Sequence, residues 1–169
     1  EVIELPNEIL SSDSFMVSMW IYPIEEHSWS CAMYVKYETG FFGMIPLAWE
    51  GHSSFRIRDS KEVDGWYDIS GCKLQVNEWS HYVVSYNAKT ETAYAYINGQ
   101  LVGKMKNVPG NRYAKRIVLG GDVFQPSFIG KICEVTFYNE IRDHDFVYNL
   151  HQSYVTRDDF IGFEIGIDK

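Results

Sequence analysis

The stretch TETAYAYINGQLVGK, residues 90–104, alternates tyrosine with alanine, reaches Asn98-Gly99 and returns through a short apolar run. Asn-Gly is typical of a tight β-hairpin turn because both residues tolerate a positive φ. Two registers fit: a two-residue turn pairs Tyr96 with Leu101, whereas a three-residue loop with a bulge pairs Tyr96 with Gln100. Both predict adjacent antiparallel strands, and the sequence leaves the register open.

Alternation with a period of two recurs along most of the chain. It is found in residues 14–23, 55–59, 78–87, 116–121 and 131–139. Short turns rich in Gly, Asn, Asp and Ser separate these runs, which is the pattern of an antiparallel sandwich or barrel. A last strand at residues 160–167 is expected to pair with the opening residues 1–6.

One segment near the C-terminus has a helical period instead. Asp143 can cap a helix, and Phe146, Val147 and Leu150 follow at helical spacing. The sequence therefore predicts one short helix in an otherwise all-β chain.

The length and net charge of the chain indicate how many domains it forms and which partners are disfavoured. A chain of 169 residues is expected to form a single domain, residues 1–169. The net charge of −8 argues against nucleic acid and anionic membrane surfaces as partners. No run approaches the ~20 apolar residues of a membrane-spanning helix.

The three cysteines, Cys31, Cys72 and Cys133, are far apart and fit no zinc pattern. One disulfide with a free thiol is an alternative, but we expect three thiols, because unpaired cysteine is usually a small buried apolar residue.

The order of these segments resembles a known family. The residues that carry the resemblance are VIELP (2–6), SFMVSMWIYP (14–23), Trp79 and His81, Asn87, Asn98-Gly99, IVLGGD (117–122) and FIGKICEVTFYNEI (128–141). Together they resemble the laminin-G-like branch of the concanavalin A-like lectin/glucanase superfamily, from about Val2 to Leu150.

The resemblance implies an all-β, two-sheet antiparallel jelly-roll sandwich with one concave sheet. It also implies a carbohydrate-binding module of the kind attached to glycoside hydrolases, and in many members a structural calcium ion. Where the family usually has Asp, this chain has Cys133, which puts any role of that carboxylate in doubt. Asp122 is a candidate calcium ligand, and the alternative is an ordinary turn aspartate.

An enzyme of this superfamily needs paired carboxylates beside the scissile bond. The nearest pairs are Glu62 with Asp64, and Glu164 with Asp168, and neither has the third acid of the glucanase pattern. We therefore expect no catalysis. His81, next to a strand tryptophan, is expected to be a structural hydrogen-bonding residue.

Aromatic and guanidinium side chains concentrate between residues 49 and 67. Such groups stack on sugar rings and bind their hydroxyls and carboxylates. Arg56 and Arg58 share one strand face and could grip an acidic sugar; the alternative is a solvated, charge-balanced face. The candidate ligand-binding residues are Trp49, Arg56, Arg58, Trp66, Tyr67, Tyr94 and Tyr96. For the last two, the alternative is a place in the core or at its rim.

The sequence thus predicts a non-catalytic carbohydrate-binding module. The expected partner is an oligo- or polysaccharide, acidic glycans included. The expected setting is extracellular or at the cell surface, within a larger glycan-degrading protein and beside its catalytic domain. The alternative is a structural or protein-interaction laminin-G-like module that packs on a neighbouring domain.

Overall fold

The computed structural model describes residues 2–26, 29–111, 113–124 and 127–157. These residues form two antiparallel sheets and one α-helix. The first sheet contains, in spatial order, β1 (Ile3–Leu5), β10 (Arg116–Leu119), β3 (Met33–Tyr37), β4 (Gly40–Ile45), β5 (His52–Asp59) and β6 (Trp66–Lys73). The second contains β11 (Gly130–Tyr138), β2 (Phe15–Pro23), β7 (Ser80–Asn87), β8 (Thr92–Ile97) and β9 (Gln100–Met105). The helix α1 is His144–Val155, and short 3₁₀ helices cover Asn7–Ile9 and Trp49–Gly51.

The core lies between the two sheets, which confirms the predicted sandwich. Alternate residues of β2, such as Phe15 and Val17, point into it and pack with inner residues of the first sheet, such as Phe42 and Phe55. The other face of β2 is buried as well, because α1 covers it: Trp20 packs in a cluster with Tyr154 of the helix. Strand β2 is therefore buried along nearly its whole length, in keeping with its largely apolar sequence FMVSMWIYP.

The hairpin of β8 and β9 adopts the two-residue register. Tyr96 pairs with Leu101, and both turn residues have positive φ, 50° at Asn98 and 79° at Gly99. A bulge follows between Ala95 and Tyr96 and shifts the rest of the ladder. The alanines of β8 consequently face the core, and the tyrosines face the opposite side of the sheet.

The predicted helix is confirmed with its cap. Asp143 accepts a hydrogen bond from the backbone N–H of Phe146 at 2.8 Å, which satisfies one of the free donors of the first turn. Val147 packs on the outer face of the second sheet in a cluster with Met16 and Val83. None of the helices in the described part of the chain is long and apolar enough to cross a membrane.

The opening strand β1 pairs with β10 at the edge of the first sheet, with Ile3 opposite Leu119 and Leu5 opposite Ile117. The predicted last strand at residues 160–167, and its pairing, lie outside the described residues. Cys31, Cys72 and Cys133 are all free thiols, as expected.

Candidate functional site

Strands β5 and β6 place charged and aromatic side chains side by side on the outer face of the first sheet. Arg56 and Arg58 are two residues apart, so both point away from the core. Arg58 pairs across the ladder with Trp66, and Arg56 pairs with Asp68. The period of two in the sequence predicted this shared face.

Three indole rings surround the Arg56 guanidinium. Its central carbon lies 4.3 Å from the ring centroid of Trp29, 5.5 Å from that of Trp49 and 5.0 Å from that of Trp66. The rings of Trp29 and Trp49 meet edge to face at 4.5 Å. Arg58 lies 4.9 Å from the Trp66 centroid. We call these five residues the arginine–tryptophan cluster.

Asp68 fixes the guanidinium of Arg56. Arg56 donates from Nε to Asp68 Oδ1 at 2.6 Å and from Nη2 to Oδ2 at 2.8 Å, and the Ser54 hydroxyl donates to the same carboxylate at 3.1 Å. The two side chains are only 22% and 14% exposed. The pair is therefore rigid and electrically neutral, and Arg56 holds the indoles in place more than it offers a free positive charge.

Arg58 has different partners. Its Nη1 donates to the backbone carbonyls of Asp59 and Glu62, the second at 2.8 Å, which ties it to the loop between β5 and β6. Within the described ranges no carboxylate forms an ion pair with Arg58. Arg58 thus carries the unneutralised positive charge of the cluster.

The cluster has exposed ring surface and a shallow floor. Trp49 is 53% exposed and Trp66 is 50% exposed, although both are large apolar side chains. Gly43 lies between Tyr34 and Arg56 in the sheet. A Cβ on Gly43 would come within 2.9 Å of Cys31 Sγ, so any larger residue would require the Cys31 side chain to shift.

Phe41 and Phe124 extend the aromatic surface beyond Trp66. The ring centroid of Phe41 lies 5.9 Å from that of Trp66 and 5.6 Å from that of Phe124. Phe124 is 66% exposed. The result is a strip of rings along the outer face of the sheet, with the charged cluster at one end.

Burial raises the pKa values of two ionisable groups under this surface. It raises the pKa of the Cys31 thiol, with a further contribution from the Asp122 carboxylate, and it raises the pKa of the Tyr34 hydroxyl to about 12. Both groups therefore stay protonated and uncharged at neutral pH. They act as packing residues in the floor and not as nucleophiles or bases.

Asp122 accepts a hydrogen bond from the backbone N–H of Phe124 at 2.6 Å, as a turn aspartate does. Among the described residues no group of three His, Cys, Asp or Glu side chains could hold a metal ion. No such group of side chains surrounds Asp122 in the described part of the chain, and calcium stays a prediction.

Three of the seven predicted ligand residues lie away from the cluster. Tyr67 points to the inner face of the first sheet, because neighbours along a strand face opposite ways, and it packs against the core. Tyr94 and Tyr96 lie on the second sheet beside α1. Tyr96 is 1% exposed, and its hydroxyl forms a 2.6 Å hydrogen bond with His144 Nδ1.

Sequence reasoning missed Trp29, Asp68, Phe41 and Phe124. Asp68 carried a usable signal, since a hairpin between β5 and β6 brings it opposite Arg56 as an opposite charge. Trp29 carried none, because it lies in a loop with a positive φ of 70° and reaches the cluster only through the fold.

A family model assigns this architecture. The laminin-G-type model of the concanavalin A-like lectin/glucanases superfamily matches residues 1–147. The chain belongs to this superfamily. A comparison with curated proteins gave no match.

Solved structures share the superfamily fold with this chain. Domain 4 of AbnA, a GH43 extracellular arabinanase from Geobacillus stearothermophilus, solved with arabinotriose, is 25% identical with a TM-score of 0.77, over 89% of this chain and 72% of that one. The CBM40 of the Ruminococcus gnavus IT-sialidase, bound to α2,3-sialyllactose, is 13% identical with a TM-score of 0.70, over 89% and 96%. The NanB sialidase of Streptococcus pneumoniae is 16% identical to this chain with a TM-score of 0.71. The match covers 88% of this chain but 26% of the sialidase chain.

Proposed function

We propose that this chain is a non-catalytic carbohydrate-binding module and that the arginine–tryptophan cluster is its binding surface. The observation that carries the proposal is the pair of half-exposed indoles, Trp49 and Trp66, arranged around a guanidinium that Asp68 holds rigid. A contiguous patch of exposed rings, unlike apolar residues scattered singly, is typical of a ligand- or protein-binding surface. The arabinanase domain and the CBM40, which share the fold, were both solved with oligosaccharides.

The chemistry of the cluster fits a sugar. The apolar C–H face of a pyranose or furanose ring packs on an indole face, while hydroxyl groups accept hydrogen bonds from guanidinium N–H groups. Because Asp68 already orients Arg56, little side-chain entropy is lost on binding there. The surface is open, so the affinity is expected to be modest, with Kd values of about 0.1–1 mM.

The charges of the two arginines suggest how acidic glycans are distinguished. Arg56 is neutralised by Asp68, whereas Arg58 is not paired with a described carboxylate. A sugar carboxylate should therefore be bound by Arg58, and a neutral sugar should bind mainly on the rings. Removal of the Arg58 charge should weaken the binding of an acidic ligand by about tenfold. A hydrogen bond to a charged group contributes about 1.5–3 kcal/mol, and part of this is screened on an open surface.

Isothermal titration calorimetry with arabinotriose and with α2,3-sialyllactose tests this proposal. Trp66→Ala should weaken the binding of both ligands, and Arg58→Gln should weaken the binding of the sialylated ligand only. The matched control is Tyr148→Ala, which removes a half-exposed aromatic ring from α1, on the other sheet. Binding that is unchanged in Trp66→Ala, or absent with a wider panel of neutral and acidic glycans, would contradict the proposal.

We further propose that the module is part of a longer extracellular or cell-surface protein with a catalytic domain that degrades glycans. The arabinanase and the sialidases that share the fold are glycoside hydrolases. The alternative, a module that packs on a neighbouring domain, is favoured by the exposed apolar side chains Val123 and Phe124 at the end of the aromatic strip. In that case Phe124→Ala would weaken a contact with the adjoining domain, and sugars would not bind.

A further inference from the structure

The second sheet carries a cavity that the arginine–tryptophan cluster does not explain. It has a volume of about 450 Å³, is open to solvent and lies where the chain passes from β11 into α1. Its lining residues are Tyr94, Tyr96, Ile141, Arg142, Asp143 and His144. We propose that this cavity is a second carbohydrate subsite, which binds a neutral sugar.

The alternation of side chains along β8 explains why rings line the cavity. Tyr94 and Tyr96 share the outer face of β8, and α1 covers that face only in part. Tyr96 is sealed under His144, to which it is hydrogen-bonded, while Tyr94 stays partly exposed and meets the His144 ring edge-on at 5.7 Å. The cavity thus has a fixed aromatic wall, held by a hydrogen bond between the sheet and the first helical turn.

Polar atoms converge on the same space. The Arg142 guanidinium lines the cavity: its Nη2 is paired with Glu140, and its central carbon lies 5.0 Å from the Phe146 ring centroid. The side chain is 40% exposed, so its N–H groups can donate to a ligand hydroxyl. His144 uses Nδ1 for Tyr96, which leaves its Nε2 for a ligand. An aromatic wall with a few convergent polar groups is the usual make-up of a small-molecule site, and the volume lies in the range of such sites, about 300–1,000 Å³.

The local charges are balanced, which sets the class of ligand. Arg142 is paired with Glu140, and Asp143 caps α1 through Oδ1. Lys104 lies over Tyr94, with its Nζ 5.5 Å from the ring centroid, and adds a second cation beside the cavity. With two cations and two anions, the site has no excess charge for a sugar carboxylate. A neutral sugar is therefore favoured here, in contrast to the surface around Arg58.

The experiment is an NMR titration of the full ¹⁵N-labelled chain with arabinotriose, maltotriose, cellotriose and α2,3-sialyllactose, each at millimolar concentration. We expect at least one neutral trisaccharide to shift amides of residues 94–96 and 141–144, and α2,3-sialyllactose not to do so. Tyr94→Ala should weaken binding at these amides by about tenfold through loss of the ring wall. Tyr148→Ala, which alters an exposed ring of α1 outside the cavity, is the control and should leave them unchanged.

The two sites are read separately in one titration, because amides of residues 56–68 report on the cluster. In Trp66→Ala the shifts at residues 94–96 and 141–144 should persist, so failure at the cluster does not imply failure at the cavity. The inference is overturned if no neutral trisaccharide shifts the cavity amides, if only the sialylated ligand does, or if Tyr94→Ala leaves those shifts as they are.

Discussion

At the scale of single residues, the Arg56–Asp68 pair determines the shape of the candidate site. Two hydrogen bonds of 2.6 and 2.8 Å join side chains that are mostly buried. Removal of one charge leaves the other poorly solvated among three indoles, which costs more than the pair itself contributes. Asp68 is therefore a positioning residue, since it fixes the guanidinium that the rings surround.

Asp68→Asn should lower the free energy of unfolding by about 1–3 kcal/mol, because Arg56 loses its charged acceptor in a partly buried site. Urea denaturation measures this. Glu4→Gln is the matched control: it breaks the Arg116–Glu4 pair, which is 43% and 61% exposed, and should change stability by less than about 0.5 kcal/mol. Equal effects of the two variants would show that the cluster does not depend on this pair.

The sequence allowed prediction of the residues whose positions follow from strand alternation. Arg56 and Arg58 share a face because they are two apart, and Trp66 joins them by pairing across the hairpin. The same rule, applied to Trp66 and Tyr67, shows why they cannot form one exposed pair. Trp29 could not be predicted, since nothing local brings a loop residue to Arg56.

At the scale of elements, the β8–β9 hairpin shows what turn chemistry can and cannot settle. Asn98-Gly99 predicted the turn correctly, but two registers remained open until the contacts of the fold were known. In the structure the small alanines of β8 face the core and its tyrosines face α1. This alternation belongs to β8 itself, whereas the register determines which residues of β9 lie opposite, so the pattern of β8 alone could not choose between the two turns.

Gly99→Ala should destabilise the fold by about 1–2 kcal/mol, because Gly99 has φ 79° and a Cβ there would meet His151 of α1 at 3.0 Å. Thermal unfolding monitored by circular dichroism measures the loss. Gln100→Ala, at the exposed next position, is the control and should have little effect. A neutral Gly99→Ala would mean that the turn does not need a positive φ at this residue.

The contact between α1 and the second sheet contains two histidines in a stack. The rings of Trp20, His81 and His151 lie 5.1–5.5 Å apart, and His81 Nε2 forms a 2.7 Å hydrogen bond with the Ser18 hydroxyl. Burial, aided by the nearby His151, lowers the pKa of His81 to about 3, and burial lowers that of His151 as well. The His81 imidazole is therefore neutral in the folded protein at pH 7, and His81 forms a structural hydrogen bond as predicted.

Acid should weaken this contact. In the unfolded chain His81 regains its ordinary pKa of 6.5, so between pH 6.5 and about pH 3 the unfolded state binds a proton that the folded state does not. Stability is fully present above pH 6.5 and falls as the pH drops, by at most about 1.4 kcal/mol per pH unit for this group. Urea denaturation from pH 7 to pH 4 measures the slope. His81→Gln should reduce this slope.

At the scale of the whole molecule, the order of strands and turns predicted the fold better than any single motif. The two sheets, the terminal helix and the free thiols all agree with the sequence. The pairing of β1 with β10 was not predicted, because edge strands are short and carry little pattern. The site was predicted only as far as the outer face of β5 and β6, since its remaining members come from loops and other strands.

The molecule also gathers carboxylates at a place distinct from the indoles. Asp59, Glu62, Asp64 and Glu91 line an open hollow of about 470 Å³ at the rim between the two sheets, together with Tyr67. Glycoside hydrolysis needs two carboxylates on either side of a bound glycosidic bond. The exposed indoles, which are the proposed sugar-binding groups, lie on the outer face of the first sheet, and the hollow is formed in part by loops of the second sheet.

We therefore expect the chain to release no reducing ends from arabinan or from α2,3-sialyllactose over prolonged incubation. A colorimetric reducing-end assay measures this, with calorimetry on the same samples to show whether ligand is bound. Glu62→Gln and Asp64→Asn should leave binding at the cluster unchanged, because both side chains line the hollow, whereas the Glu62 group that contacts Arg58 is its backbone carbonyl, which the substitution retains. The control is Glu25→Gln, which changes an acid outside the hollow. If the chain does release sugar, and if this activity is lost in either hollow variant but kept in Glu25→Gln, the hollow is an active site and the module is an enzyme.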